Sequence, residues 1–187
     1  MPNLRVAYPG SFDPPTVAHL AIARAAHGHM GGAAVHWIVS RVALGKETAT
    51  TPSLTDRVAV LREVAAEHDW LDVHLSDARF IADLVDGFDA VVLGADKWRQ
   101  VNDPAWYGGA AACAEALARL PRVLVVPRGD DRPDDAELLE VAANHLGVSS
   151  TAARAGARHL MLGAAQRFDD ATGAWTCLLY TSPSPRD

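Results

Sequence analysis

The chain has 187 residues, 49% of them apolar and 21% charged, which is enough for one globular domain with a sizeable core. Its net charge of -6 at pH 7 gives the surface as a whole no attraction for nucleic acid or an anionic membrane. No apolar run approaches the ~20 residues that span a bilayer, and residues 1–5 lead into a strand-like stretch without a signal-peptide core.

In chain order, residues 5–8 read as a buried strand that ends in a Pro9-Gly10-Ser11 turn. Residues 17–26, rich in Ala, Leu and Ile, read as a helix, and 34–40 as a second strand. Ser53 followed by Asp56 marks a helix start. From there Leu54, Val58, Leu61 and Ala65 share one face. A short strand follows at 71–74, a short helix at 80–85 and a strongly apolar strand at 90–94. Residues 104–120 contain a helix, 122–126 form another strand, and a last helix runs from 149–150 to about 165. Near-continuous apolar strands alternating with helices predict a Rossmann-like α/β fold: a doubly wound parallel sheet covered on both faces. Residues 129–135 read as an acidic solvated loop. The expected domain covers residues 1–176.

Residues 177–187 resemble the translation of a transposase sequencing adapter and are expected to contribute nothing to the fold. Cys177 lies in that stretch. Cys113 and Cys177 have neither metal-ligand nor disulfide-scaffold spacing, which fits a reducing compartment such as the cytoplasm. The sequence leaves self-association into a homo-oligomer open.

Ligands of open parallel sheets bind beyond the C-terminal strand ends. The candidate residues follow the expected strands. In Tyr8-Pro9-Gly10-Ser11-Phe12-Asp13-Pro14-Pro15-Thr16-Val17-Ala18-His19, a strand ends, a glycine turn follows and a helix starts near Thr16. Gly10 permits close backbone approach or positive φ. Ser11 offers a hydroxyl and an N–H, and the helix start offers free N–H groups. If Thr16 caps the helix, His19 sits one turn along. The alternative reading of these residues is a capped helix with a partly buried histidine.

The whole string resembles the first signature of the nucleotidyltransferase superfamily, Gly-Ser/Thr-Phe-Asp-Pro followed by His/Thr-x-Gly-His. The form beginning Tyr-Pro-Gly-Ser-Phe-Asp-Pro is similar to pantetheine-phosphate adenylyltransferases. Ala18 replaces the usual glycine before the second His, and its methyl group could crowd a nucleotide. Ser149-Ser150-Thr151-Ala152-Ala153-Arg154 is a dense donor cluster with an Arg suited to phosphate oxygens. It resembles the Ile-Ser-Ser-Thr-x-x-Arg signature of pyridine-mononucleotide adenylyltransferases, with Val148 in the apolar place. Gly94-Ala95-Asp96 with Trp98 and Trp106 resembles the Gly-x-Asp…Trp segment of the same branch, where the Asp and Trp help to hold the acceptor. Each indole could instead be core packing.

The resemblance implies transfer of AMP from ATP to a phosphorylated acceptor, with pyrophosphate leaving. His19 and Thr16 would bind the triphosphate, and Lys46 and Arg154 would neutralise charge as pyrophosphate departs. Gly10, Ser11 and Phe12 would line the nucleotide cleft, with Ser149, Ser150 and Thr151 opposite. Lys46, Asp96, Trp98 and Trp106 would hold the acceptor. Arg57 also resembles a family position. Mg2+ would accompany ATP through phosphates and water rather than a carboxylate cage. The favoured acceptor is nicotinate mononucleotide. Phosphopantetheine, a CTP-dependent reaction, and a nucleotide-binding module without activity are the competing readings. The remaining histidines, His145 among them, show no catalytic or metal pattern.

Overall fold

The computed structural model describes residues 4–41 and 52–176. Among them six strands form one wholly parallel sheet in the order β3-β2-β1-β4-β5-β6. The strands are β1 (Arg5–Pro9), β2 (Ala34–Ser40), β3 (Leu71–Ser76), β4 (Ala90–Gly94), β5 (Arg122–Val126) and β6 (Glu137–Leu138). The central strands are apolar at nearly every position because both of their faces are covered. β2 is buried from Val35 to Val39, and β4 from Ala90 to Leu93.

Side chains alternate across the sheet. Val6, Tyr8, Val35, Trp37, Val92 and Leu124 face one layer, which includes α1 (Val17–His29), α2 (Leu54–Ala65) and α8 (Gly163–Thr172). Ala7, Ile38, Val91 and Leu93 face the other, with α3 (Ile81–Leu84), α4 (Ala95–Asn102) and α5 (Ala110–Ala118). The result is a Rossmann-like α/β fold. No described helix is long and apolar enough to cross a membrane.

The predicted strands and first three helices appear with small changes of boundary, and the last two predicted helices differ more. Residues 104–120 divide into a 3-10 turn at Pro104–Trp106 and α5, because Gly108 and Gly109 between them take positive φ. The expected last helix is three pieces: α7 (Ser150–Arg154), a 3-10 turn at Arg158–Leu160, and α8. Gly156, at φ +114, ends the first piece. The chain then returns to the first motif, where Leu162 donates to the Pro15 carbonyl and Thr16 bridges Met161. Two further helices, α4 and α6 (Ala143–Leu146), and the two-residue β6 were not foreseen. Lys46 and residues 177–187 lie outside the described residues.

The turn after β1 is tightly determined. Phe12 is fully buried with φ 45, and its ring contacts Tyr8, His19 and Trp37. A Cβ on Gly10 would lie 2.9 Å from two atoms of that ring. The glycine is therefore needed for the close approach of Phe12, and not for positive φ. Gly10→Ala should cost about 1–3 kcal/mol, the usual penalty of overpacking. Urea unfolding checks this, and a variant as stable as the parent would show that the turn relaxes freely.

Candidate active site

β1 and β4 are neighbours, and from them the chain winds outward in opposite directions. Their C-terminal ends therefore flank the crevice where such sheets bind ligands. A cavity of about 290 Å³ opens there. One wall comes from the first motif: Tyr8, Ser11, Thr16, Ala18 and His19. The facing wall is Val148, Ser149, Ser150, Thr151 and Arg154. Gly94, at the end of β4, and Pro127 and Arg128, just past β5, form the floor side, with His145 beside them.

His19 is held in a defined state. The Thr16 backbone N–H donates to its Nδ1 at 2.9 Å, and the Thr16 hydroxyl lies 2.9 Å from the same atom. Nδ1 must then be the unprotonated nitrogen, so the neutral ring carries its proton on Nε2. Burial pushes the His19 pKa down to about 4, because a charged imidazolium loses hydration there. At neutral pH the cavity therefore contains an uncharged N–H donor. Burial raises the phenol of the neighbouring Tyr8 above its ordinary range, which keeps it protonated.

The second wall is tied to the first by hydrogen bonds. Ser150 Oγ donates to the Pro14 carbonyl at 2.8 Å. The Arg154 guanidinium donates to the Asp13 carbonyl and lies 3.7 Å from the Asp13 carboxylate. It also lies 3.4 Å from Thr151 Oγ1. Ser149 caps α7, its Oγ accepting from the Ala152 N–H at 3.1 Å. Arg57 of α2 supports the other side of the turn by donating to the Ser11 carbonyl at 3.0 Å. Residues from both ends of the sequence thus meet across one cavity.

Among the described residues the lining includes Arg128, Arg154 and two histidines and no Asp or Glu, with Asp96 and Asp13 beside the two arginines behind it. A chain of net negative charge so presents a local pocket suited to anions. This donor set matches phosphate oxygens.

Not every predicted site residue lines the cavity. Gly10 and Phe12 lie behind it and shape the turn. Asp96, in the first turn of α4, accepts from Arg128 at 2.7 Å and so touches the cavity through that residue. The Trp98 ring packs on the second core layer, and its Nε1 donates to Asp135 at 3.1 Å. Asp135 and Asp131, which pairs with Arg99, therefore anchor a loop expected to be merely solvated. Trp106 is 40% exposed and apart from the cavity lining. Arg128 and His145 were missed. Arg128 was accessible to the strand-end rule, since it follows β5 by two residues. His145 Nδ1 is buried without a hydrogen-bond partner among the described residues, and no spacing in the sequence singles it out.

A sequence profile described as cytidylyltransferase-like matches residues 7–156, a span that contains both walls of the cavity. The chain belongs to the cytidylyltransferase-like family. It is accordingly a nucleotidyltransferase, and the anion-suited crevice is the place in this fold where that chemistry fits. No curated protein matches the chain in sequence. The solved structures that share its fold include two of Plasmodium falciparum nicotinic acid mononucleotide adenylyltransferase. The one complexed with APC has a TM-score of 0.63 and 12% identity, covering 92% of this chain and 97% of that one. The one complexed with NaAD has a TM-score of 0.60 and 16% identity, covering 82% and 83%.

Within this family member Ala18 stands where the superfamily signature has glycine. Its residue is 4% exposed and lines the cavity. Ala18→Gly should enlarge the nucleotide space and tighten ATP binding, at a stability cost of about 0.5–1 kcal/mol for glycine in a helix. Calorimetry with ATP tests this, and unchanged or weaker binding would show that the methyl group does not crowd the ligand.

Proposed function

We propose that the chain transfers AMP from ATP to a pyridine mononucleotide, nicotinate mononucleotide foremost, in the cytoplasm. An acceptor phosphate oxygen attacks the α-phosphorus in line. The bond from that phosphorus to the bridging oxygen breaks, and pyrophosphate leaves with the bond's electron pair. The protein supplies no covalent nucleophile in this scheme. It positions the reactants and stabilises the charge that develops on the phosphates.

His19, through its neutral Nε2–H, donates to the triphosphate, with Thr16 holding the ring. Arg154 and the hydroxyls of Ser149, Ser150 and Thr151 serve the same phosphates from the facing wall. Lys46 and Arg128 add positive charge, and Ser11 contributes its N–H or hydroxyl. Asp96, joined to the cavity by Arg128, holds the acceptor, and Trp106 meets it where it extends beyond the cavity lining. Trp98 fits that part less well, because its indole N–H is already engaged by Asp135.

The observation that carries this reading is the placement of His19 and Arg154 on the two walls of one cavity whose described lining holds no carboxylate. The pyridine acceptor draws support from the Ser-Ser-Thr-x-x-Arg match and from the named substrate of the two structural neighbours. Pyrophosphate release should be measured with ATP and CTP against nicotinate mononucleotide, nicotinamide mononucleotide and phosphopantetheine. The proposal expects the fastest release with ATP and nicotinate mononucleotide. Faster release with phosphopantetheine or with CTP would replace the acceptor or the nucleotide. Binding of ATP with no release from any acceptor would make the chain a binding module.

A further inference from the structure

Among the described residues, one group of three metal-ligand side chains brings its donor atoms within 4.8 Å of one another: His36, Asp72 and His74. None of the three lines the nucleotide cavity. The sheet itself creates the group. In the β2–β3 register Asp72 stands opposite His36, and His74 stands opposite Ile38. Positions two apart on a strand share a face, so all three project from the same side of the sheet edge. That side is the one carrying Ile38 and the second core layer.

We propose that these residues bind one divalent first-row transition-metal ion, through His36 Nδ1, His74 Nε2 and Asp72 Oδ2. The three atoms are separated by 2.8, 3.1 and 3.8 Å. A point equidistant from them lies about 1.9 Å from each, inside the ~2.0–2.2 Å of zinc bonds to histidine and carboxylate. An ion slightly out of their plane therefore meets all three without moving a strand.

The surroundings favour that arrangement. The unused Asp72 oxygen, Oδ1, accepts from the Val73 N–H at 2.7 Å, which orients the carboxylate. His36 is buried, and its Nε2 has no partner among the described residues, so the ring's polar contacts run through Nδ1. Its ring meets that of Phe88 edge-to-face, at 5.3 Å between centroids, and the Arg5 guanidinium lies over Phe88. Side-chain exposures of 64% for Asp72 and 43% for His74 leave the outer side open. Water completes the coordination there. Two imidazoles with one carboxylate select zinc, cobalt, nickel or iron over calcium and magnesium. Without an ion, a single ring proton lies among these three atoms, and binding moves it to the ring's other nitrogen, so that a neutral imidazole faces the metal. The ion would join the edge strand β3 to β2, independently of nucleotide.

Cobalt(II) titration of untagged, chelator-stripped protein tests the proposal, read by the visible d–d absorption and by thermal unfolding. The expected result is a band that saturates at one equivalent, bleaches when zinc is added, and accompanies a rise in unfolding temperature. His74→Ala and Asp72→Asn, both on the exposed edge, should lose the band and the rise while folding normally by circular dichroism. Absence of the band in the parent protein would overturn the site, as would a band undiminished in both variants. Neither readout involves nucleotide or turnover, so failure here would leave the transferase reading untouched.

Discussion

His19→Ala should lower the rate of pyrophosphate release on the order of 100- to 1,000-fold, the scale for losing a donor aimed at transition-state charge. The variant should still fold. His19 lines the cavity but is only partly enclosed, and its loss removes hydrogen bonds to one residue only, the N–H and hydroxyl of Thr16. A cap of that kind is worth about 1 kcal/mol. The pH dependence follows from its pKa of about 4. The ring stays neutral down to mildly acidic pH, so protonation of His19 should not limit activity near pH 6. For stability, the unfolded chain takes up a proton near the ordinary value of about 6.5, and the folded ring does so only near 4. Between these values the unfolded state binds more protons, so stability falls as pH falls through that window. His36 acts in the same direction: burial, aided by His74 and Arg5, also lowers its pKa to about 4. Denaturant unfolding at several pH values should show a flatter acid limb for His19→Ala than for the parent. Near-normal turnover in a folded His19→Ala protein would remove the residue from the mechanism.

The largest loss of stability is expected from Asp169→Ala, about 2–4 kcal/mol, the scale for leaving more than one buried donor without its acceptor. The Asp169 side chain is fully buried. Its Oδ1 accepts from the backbone N–H groups of Trp175 and Thr176 at 2.8 and 3.2 Å, and Oδ2 accepts from the Thr176 hydroxyl at 2.6 Å. Arg158 lies 3.2 Å from the same carboxylate. Alanine would leave the buried Trp175 N–H and the part-buried Thr176 N–H without their acceptor, while Arg158 keeps its pairing with Asp170. The effect should reach the active site. Trp175 Nε1 donates to Asp13 at 2.8 Å, and Asp13 in turn holds Arg154. Asp169→Ala should therefore weaken ATP binding as well as stability, and Asp169→Asn should lose less of both. A stability loss below about 1 kcal/mol would show that these donors find water instead.

What the sequence revealed follows from the strength of its signals. The central strands are legible because burial on both faces demands apolar residues at almost every position, as at Val91-Val92-Leu93. The two walls are legible because Gly10–His19 and Ser149–Arg154 are dense in groups that the fold needs at strand ends. α4 escaped because Asp96, Lys97, Arg99 and Gln100 hide it, with Ala95 and Val101 as its buried residues. The break after Arg154 escaped because a run of alanines predicts a continuing helix. What stops it is tertiary: Gly156 reverses the chain, and Met161 and Leu162 pair with Thr16 and Pro15. Phe12 and Trp98 carry family resemblance, yet the structure spends their rings on packing. Sequence order does not distinguish a residue that touches a ligand from one that shapes the wall behind it.

The central claim is that His19 and Arg154, 135 positions apart in sequence numbering, hold one triphosphate. Nitrogen-detected magnetic resonance of the His19 ring and the Arg154 guanidinium during an ATP–magnesium titration tests it directly. Both signals should shift along a single saturation curve with one dissociation constant. A response from one side chain alone, or two curves with different midpoints, would contradict a shared site.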